Sequence, residues 1–330
     1  MTSANTSAAL QSVLDAGGPT LSRLLLRTER RLHEVAESHG NELARHAGGT
    51  LAAGGKRLRP MLVFLCAGET SSDELVSAAA AVELLHMATL VHDDVLDRAP
   101  LRRGRPTVFA EGGRHAATTA GDLLFSRAFA ELVKSTGAQA VEALSRASSS
   151  LARGELMQRA DAWSTDLPRA RYLERCELKT ARLFEAACRL GSLLGDPGPQ
   201  CAGALGAFGT RIGLAFQIFD DVLDVSGPPE RTGKPRGTDL LDGTVNLPLI
   251  IARERDPELG QLDLREIVNN QAQADAFCDR IAKTGALGAA RSEALTHVSE
   301  AKAALYDVPL SERQQKALDL VADGVVERYA

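Results

Sequence analysis

The sequence predicts an all-α protein, and three observations carry that prediction. Apolar residues recur at helical spacing almost everywhere beyond residue 20. Strand-like alternation rich in Val, Ile and Thr is absent. Alanine is abundant and aromatic residues make up only 4%, a composition that suits closely packed helices.

Taken in order, residues 1–18 read as a flexible arm ending at GGPT, and 19–330 as one large helical domain. Helices are expected at 20–46, 59–68, 72–98, 112–135, 138–160, 168–194, 199–225, 245–255, 273–304 and 311–329. The breaks are short and rich in Gly and Pro: GGKRLRP, RAPLRRGRP, GDPGP and SGPPERTGKPRG. None is long enough to read as a linker between domains.

Bulk properties exclude several classes. The chain has 330 residues and a net charge of −5, so neither nucleic acid nor an anionic membrane surface is an expected partner. Five scattered cysteines (Cys66, Cys176, Cys188, Cys201, Cys278) lack metal spacing and read as buried thiols in a reducing compartment. No stretch reads as a transmembrane span, and the N-terminus lacks the features of a signal peptide, so a cytoplasmic location is expected.

The pentapeptide DDVLD occurs twice, at Asp93–Asp97 and at Asp220–Asp224. Each copy closes an apolar helix. Pro100, Gly104 and Pro106 follow the first, and Gly227, Pro228 and Pro229 the second. A helix C-terminus carries about half a negative charge, which repels carboxylates. Asp93 and Asp97 are also i,i+4 neighbours, as are Asp220 and Asp224, and such like-charge pairs cost a few tenths of a kcal/mol each. A bound divalent cation offsets both penalties. Mg²⁺ fits, because it takes hard oxygen ligands and shares its shell with phosphate. A solvated acidic helix end would explain one cluster, but two copies after apolar runs disfavour it.

The same breaks carry cations. Lys56, Arg57 and Arg59 follow two glycines, Arg102 and Arg103 follow the first acidic cluster, and Lys234 follows the second. Arginine suits bidentate phosphate contacts, so the pattern predicts a diphosphate held by metal on one side and by cations on the other.

GGKRLRP, LVHDDVLDRAPLRRGRPT, KTARLF, FQIFDDVLD and GKPRGTDL stand in the order and spacing of the trans-prenyl diphosphate synthases. From about residue 20 to the C-terminus the chain resembles that family. The resemblance implies an all-α bundle around a deep central cavity, as a homodimer. It implies Mg²⁺, as three ions, held by Asp93, Asp97 and Asp220, with Asp94, Asp221 and Asp224 in support. Arg102, Lys179, Thr180, Gln217 and Lys234 match positions that contact an allylic diphosphate. Lys56, Arg59, His86 and Arg103 match those that contact isopentenyl diphosphate. His86 lies seven residues before Asp93, two helical turns back on one face, whereas His92 reads as structural.

The implied reaction is Mg²⁺-dependent condensation of isopentenyl diphosphate with an allylic primer. In the family, bulky residues just before the first aspartate motif limit product length. Here those positions are Ala88 and Thr89, with Leu85 one turn deeper, and none is aromatic. Products of about six to ten isoprene units (C30–C50) are expected by analogy. The alternatives are a short-chain, geranylgeranyl-type synthase, a class I terpene cyclase and a non-catalytic partner subunit. A cyclase would carry a different second metal motif, and partner subunits lose aspartate motifs that this chain keeps. Three positions differ from the family pattern: Thr244 where a lysine is common, Phe109 after RRGRPT, and Arg98 after the first cluster.

Overall fold

The computed structural model describes residues 3–38, 40, 46, 48, 50–51, 55–102, 104–133, 137–164, 166–227 and 235–327. Its helices are α1 (Ser3–Glu37), α2 (Leu58–Cys66), α3 (Asp73–Leu96), α4 (Val108–Val133) and α5 (Ala138–Ala160). Then come α6 (Arg169–Cys176), a π-turn (Glu177–Ala181), α7 (Arg182–Leu194), a 3₁₀ turn (Pro199–Cys201) and α8 (Ala202–Ser226). The C-terminal third holds α9 (Thr238–Asp242), α10 (Leu247–Arg255), α11 (Pro257–Gln261), α12 (Leu264–Ile267), α13 (Gln271–Lys283), α14 (Ala286–Ala303) and α15 (Glu312–Glu327).

The two helices that end in DDVLD are central. α3 starts where the Ser72 hydroxyl accepts from Leu75 N–H at 3.2 Å, and Asp73 and Glu74 favour that end electrostatically. Its run Ala78–Ala81 is fully buried, which lets neighbouring backbones approach. α3 packs along α4, and α8 packs between α7 and α14. Both pass the length and apolarity of a membrane span, which corrects the sequence expectation, but 72% and 61% of those windows are buried inside the fold. They are core helices, whose exclusion from water is by protein rather than lipid.

Several expectations change. Residues 3–17, read as an arm, are helical; the helix kinks at Gly18 (φ 72°) and Val13 is buried. Arg313 donates to the carbonyls of Ala16 and Gly17 at 2.9 and 3.0 Å, satisfying acceptors freed by the kink. The stretch 273–304 is two helices, because Gly285 adopts φ 75° between α13 and α14. The helix read as 168–194 contains the π-turn. Among the described residues the all-α fold carries one two-residue ribbon, β1 (Leu101–Arg102) against β2 (Arg105–Pro106), antiparallel with Arg102 opposite Arg105. All five cysteines are buried, free thiols.

Candidate active site

Both aspartate clusters lie at helix ends, and each combines buried with more exposed carboxylates. At the end of α3, Asp93 is half-buried, Asp94 buried and Asp97 exposed. Burial pushes Asp93 up to about 6; Glu155 and Asp97 add to this, and Lys179 and Arg102 oppose it. Asp94 is tied by Arg102, whose Nε and Nη2 lie 2.9 and 2.7 Å from its Oδ1. Burial also raises Asp94, against that guanidinium.

On α8, Asp221 and Asp224 are buried and Asp220 is half-buried. The Tyr172 hydroxyl donates to Asp221 Oδ2 at 2.7 Å, and Gln217 Nε2 donates to Oδ1 at 2.9 Å. Gln217 in turn accepts from the Thr180 hydroxyl at 2.8 Å. Burial, aided by Asp239, still pushes Asp221 up to about 7. Asp224 accepts from Asp239 N–H at 3.3 Å, which joins α8 to the segment that follows.

Lys179 and Thr180 owe their position to the π-turn, where one extra residue per turn re-aims side chains. Glycines hold this turn from two sides. A Cβ on Gly154 of α5 would lie 2.5 Å from Lys179 N, and one on Gly213 of α8 would lie 2.5 Å from Ala181 Cα. Lys179 Nζ donates to Glu155 of α5. Arg159, one turn on, reaches Glu155 at 3.0 Å and Asp97 at 2.6 Å.

A cavity of about 610 Å³ brings Asp220 together with Lys56, Arg59, His86 and Arg102. Phe184 and Phe216 line it as well, and α1 and α15 close one side with Val13, Leu320 and Val325. The Arg59 guanidinium stacks 4.5 Å over the Phe184 ring. Burial lowers Arg59 to about 10, and Glu83 and Asp220 partly offset this. A second cavity of about 290 Å³ continues past His86, Met87 and Leu90 to Asp94, Arg102 and Thr107.

Other sequence-selected residues are partnered differently or fall elsewhere. Arg57, grouped with the phosphate-facing cations, lines both cavities, has φ 47°, and is paired to Glu29 (2.8 Å) and Glu83 (2.9 Å). Leu85 and Ala88 are fully buried and Thr89 is half-buried; none lines either cavity. His92 lies 3.2 Å from Asp122. Thr244 N–H donates to Asp239 O at 2.8 Å, Phe109 packs on the core, and Arg98 is exposed with φ 51°. Arg103 and Lys234 lie outside the described residues. Sequence reasoning missed Tyr172, Glu83, Glu155 and Arg159. Only the i,i+4 spacing of Glu155 and Arg159 was visible there, and that pattern is common on any exposed helix.

Among the described residues, no three carboxylate, imidazole or thiol side chains converge as a ready-made metal cage. The donor set is nonetheless oxygen-only, divided between two helices, with a half-buried carboxylate at Asp93. It fits a hard cation that completes its shell with water and phosphate oxygens rather than with protein alone.

A sequence model of the polyprenyl synthetase family matches residues 41–287. The heptaprenyl diphosphate synthase component 2 of Geobacillus stearothermophilus is 36% identical over 304 residues, 91% of this chain and 94% of that protein. The geranylgeranyl diphosphate synthase of Methanosarcina mazei is 36% identical over 284 residues, 84% of this chain and 86% of its own. The crystal structure of a Caulobacter crescentus polyprenyl synthase with calcium and isoprenyl diphosphate superposes with a TM-score of 0.89, at 34% identity, covering 96% of this chain and 98% of that one.

Proposed function

Because the chain belongs to the polyprenyl synthetase family, we propose that it is a medium- to long-chain polyprenyl diphosphate synthase, adding isopentenyl diphosphate to an allylic primer until the product reaches about six to ten isoprene units. Residues 19–330 act as one synthase domain, working as a homodimer. The observation that carries the reading is the cavity in which Asp220 meets Lys56, Arg59, His86 and Arg102. It offers the Asp220 carboxylate and a cluster of basic side chains to one polyanionic ligand, beside apolar walls suited to a prenyl tail.

In this reading Asp93, Asp97 and Asp220 would hold three Mg²⁺ ions, which would supply charge neutralisation to the allylic diphosphate as a leaving group. Asp94, Asp221 and Asp224 set the helix ends through their protein partners. Arg102, Lys179, Thr180, Gln217 and Lys234 orient the allylic diphosphate. Lys56, Arg59, His86 and Arg103 hold isopentenyl diphosphate so that its double bond faces the allylic carbon. The allylic C–O bond breaks, and the electron pair leaves with the diphosphate. The isopentenyl double bond attacks the resulting cation, and the departing diphosphate takes the proton lost. Every bond is accounted for without a protein nucleophile.

The test is incubation with isopentenyl diphosphate, allylic primers of several lengths and Mg²⁺, with mass analysis of products. Extension to C30–C50 is expected. A ladder stopping at C20 would favour the geranylgeranyl-type reading, which the Methanosarcina mazei relative supports equally by identity. No condensation with any primer would overturn the assignment. Asp93→Ala and Asp220→Ala should each lower turnover by several orders of magnitude with an unchanged far-UV spectrum; near-normal turnover would remove their metal role.

A further inference from the structure

Arg159 projects from the last turn of α5 and is bonded to two carboxylates at once. Its Nε lies 3.0 Å from Glu155, whose side chain is 17% exposed, and its Nη2 lies 2.6 Å from Asp97, which is 42% exposed. Glu155 is therefore the fixed end of this bridge and Asp97 the end open to exchange. Glu155 also carries Lys179 on its other oxygen. Four residues beyond Arg159, Trp163 N–H donates to Gly243 O at 2.8 Å. The end of α5 is thus docked between the first cluster and the segment that Asp224 holds from the second.

We propose that Arg159 is a diphosphate-positioning residue that exchanges partners during loading: it holds Asp97 while the site is empty and turns to the diphosphate once a divalent cation takes Asp97. This rests on the functional reading above. The charges require such an exchange. Asp93, Asp94, Asp97 and Glu155 contribute four negative charges against three positive ones from Arg102, Lys179 and Arg159. A divalent ion reverses that balance, so the guanidinium beside Asp97 becomes repelled. The nearest new anion is the diphosphate, to which a guanidinium binds bidentately. The Glu155 contact keeps the side chain within reach throughout.

The exchange predicts opposite signs for two ligands, which loss of structure would not produce. Calorimetry of the full chain with Mg²⁺ alone should give about five-fold tighter binding in Arg159→Gln, because one half-exposed competing ion pair is gone. With saturating Mg²⁺, inorganic pyrophosphate should bind about ten-fold more weakly to the same variant. Arg159→Lys, which keeps the charge but not the fork, should recover the Mg²⁺ affinity of the parent and only part of the pyrophosphate affinity. Arg146→Gln removes the same charge about 20 Å along α5 and should move neither. Equal affinities in parent and Arg159→Gln, shifts of both ligands in one direction, or the same shifts in Arg146→Gln would each overturn the proposal. A parent protein that binds no Mg²⁺–pyrophosphate would overturn the functional reading itself, a result distinct from these.

Discussion

Removing the Tyr172 hydroxyl tests how the second aspartate cluster is held. Tyr172 is fully buried, and its hydroxyl donates at 2.7 Å to Asp221 Oδ2. Phenylalanine keeps the ring and leaves no cavity, so only the hydrogen bonding changes. A hydrogen bond to a charged acceptor contributes about 1.5–3 kcal/mol and one to a neutral acceptor about 1 kcal/mol. Burial and the nearby Asp239 push Asp221 up to about 7, while the Tyr172 and Gln217 donors pull it down. Asp221 is therefore mostly charged at pH 8.5 and mostly neutral at pH 6. Without the hydroxyl its folded-state value rises further. The stability the bond provides is thus fuller above pH 7 and is partly lost as pH falls through that value. The hydroxyl also meets the Cys176 thiol, which burial pushes up to about 12, so that contact does not titrate in this window. Tyr172→Phe should cost about 2 kcal/mol at pH 8.5 and about 1 kcal/mol at pH 6. At about 2.1 cal/mol/K of unfolding entropy per residue, 330 residues give roughly 1.5 °C per kcal/mol, so the melting temperature falls by about 3 °C and by about half that. The assay is thermal unfolding in EDTA at both pH values, so that Asp221 titrates with protons alone. An equal loss at both pH values, or a larger loss at pH 6, would refute the bond to a titrating carboxylate.

Gly154→Ala should lower both stability and activity, by about 1–3 kcal/mol in unfolding free energy, because its Cβ would meet the Lys179 backbone at 2.5 Å and backbone cannot swing aside; an unchanged denaturation midpoint would show that the π-turn does not depend on this approach. Ala88→Phe should shorten the product and lower the melting temperature, since Ala88 is fully buried and the ring must displace neighbours; mass analysis showing the parent's product length would place the floor elsewhere. In the metal-free protein Asp93, raised to about 6 by burial, binds its proton more tightly folded than unfolded, so its stabilisation is present below about pH 4 and lost as pH rises through 6. Mg²⁺ should therefore raise the melting temperature more at pH 8 than at pH 5.5, and a larger rise at pH 5.5 would contradict this.

The helical class, the breaks at GGKRLRP and RAPLRRGRP, and the two acidic clusters were legible because each is written in a few neighbouring residues. Spacing and charge along one helix end declare themselves locally. The ribbon at Leu101–Arg102 was not legible, because two-residue strands have no periodicity to read. The break at Gly285 was missed because one glycine does not by itself reveal its φ.

By itself, then, the sequence determined which residues carry charge, that they close apolar helices, and that cations follow them. Only the tertiary structure decided how those charges are partnered. Tyr172 and Asp221 are 49 residues apart, and Arg159 and Asp97 are 62. The π-turn that carries Lys179 is bounded by glycines on two other helices. Arg57 was spent on Glu29 and Glu83 rather than left to a phosphate. The physical reason is common to all of these. A carboxylate's partner and its proton affinity are set by what is packed within a few ångströms in three dimensions, and residues distant in sequence supply most of that shell.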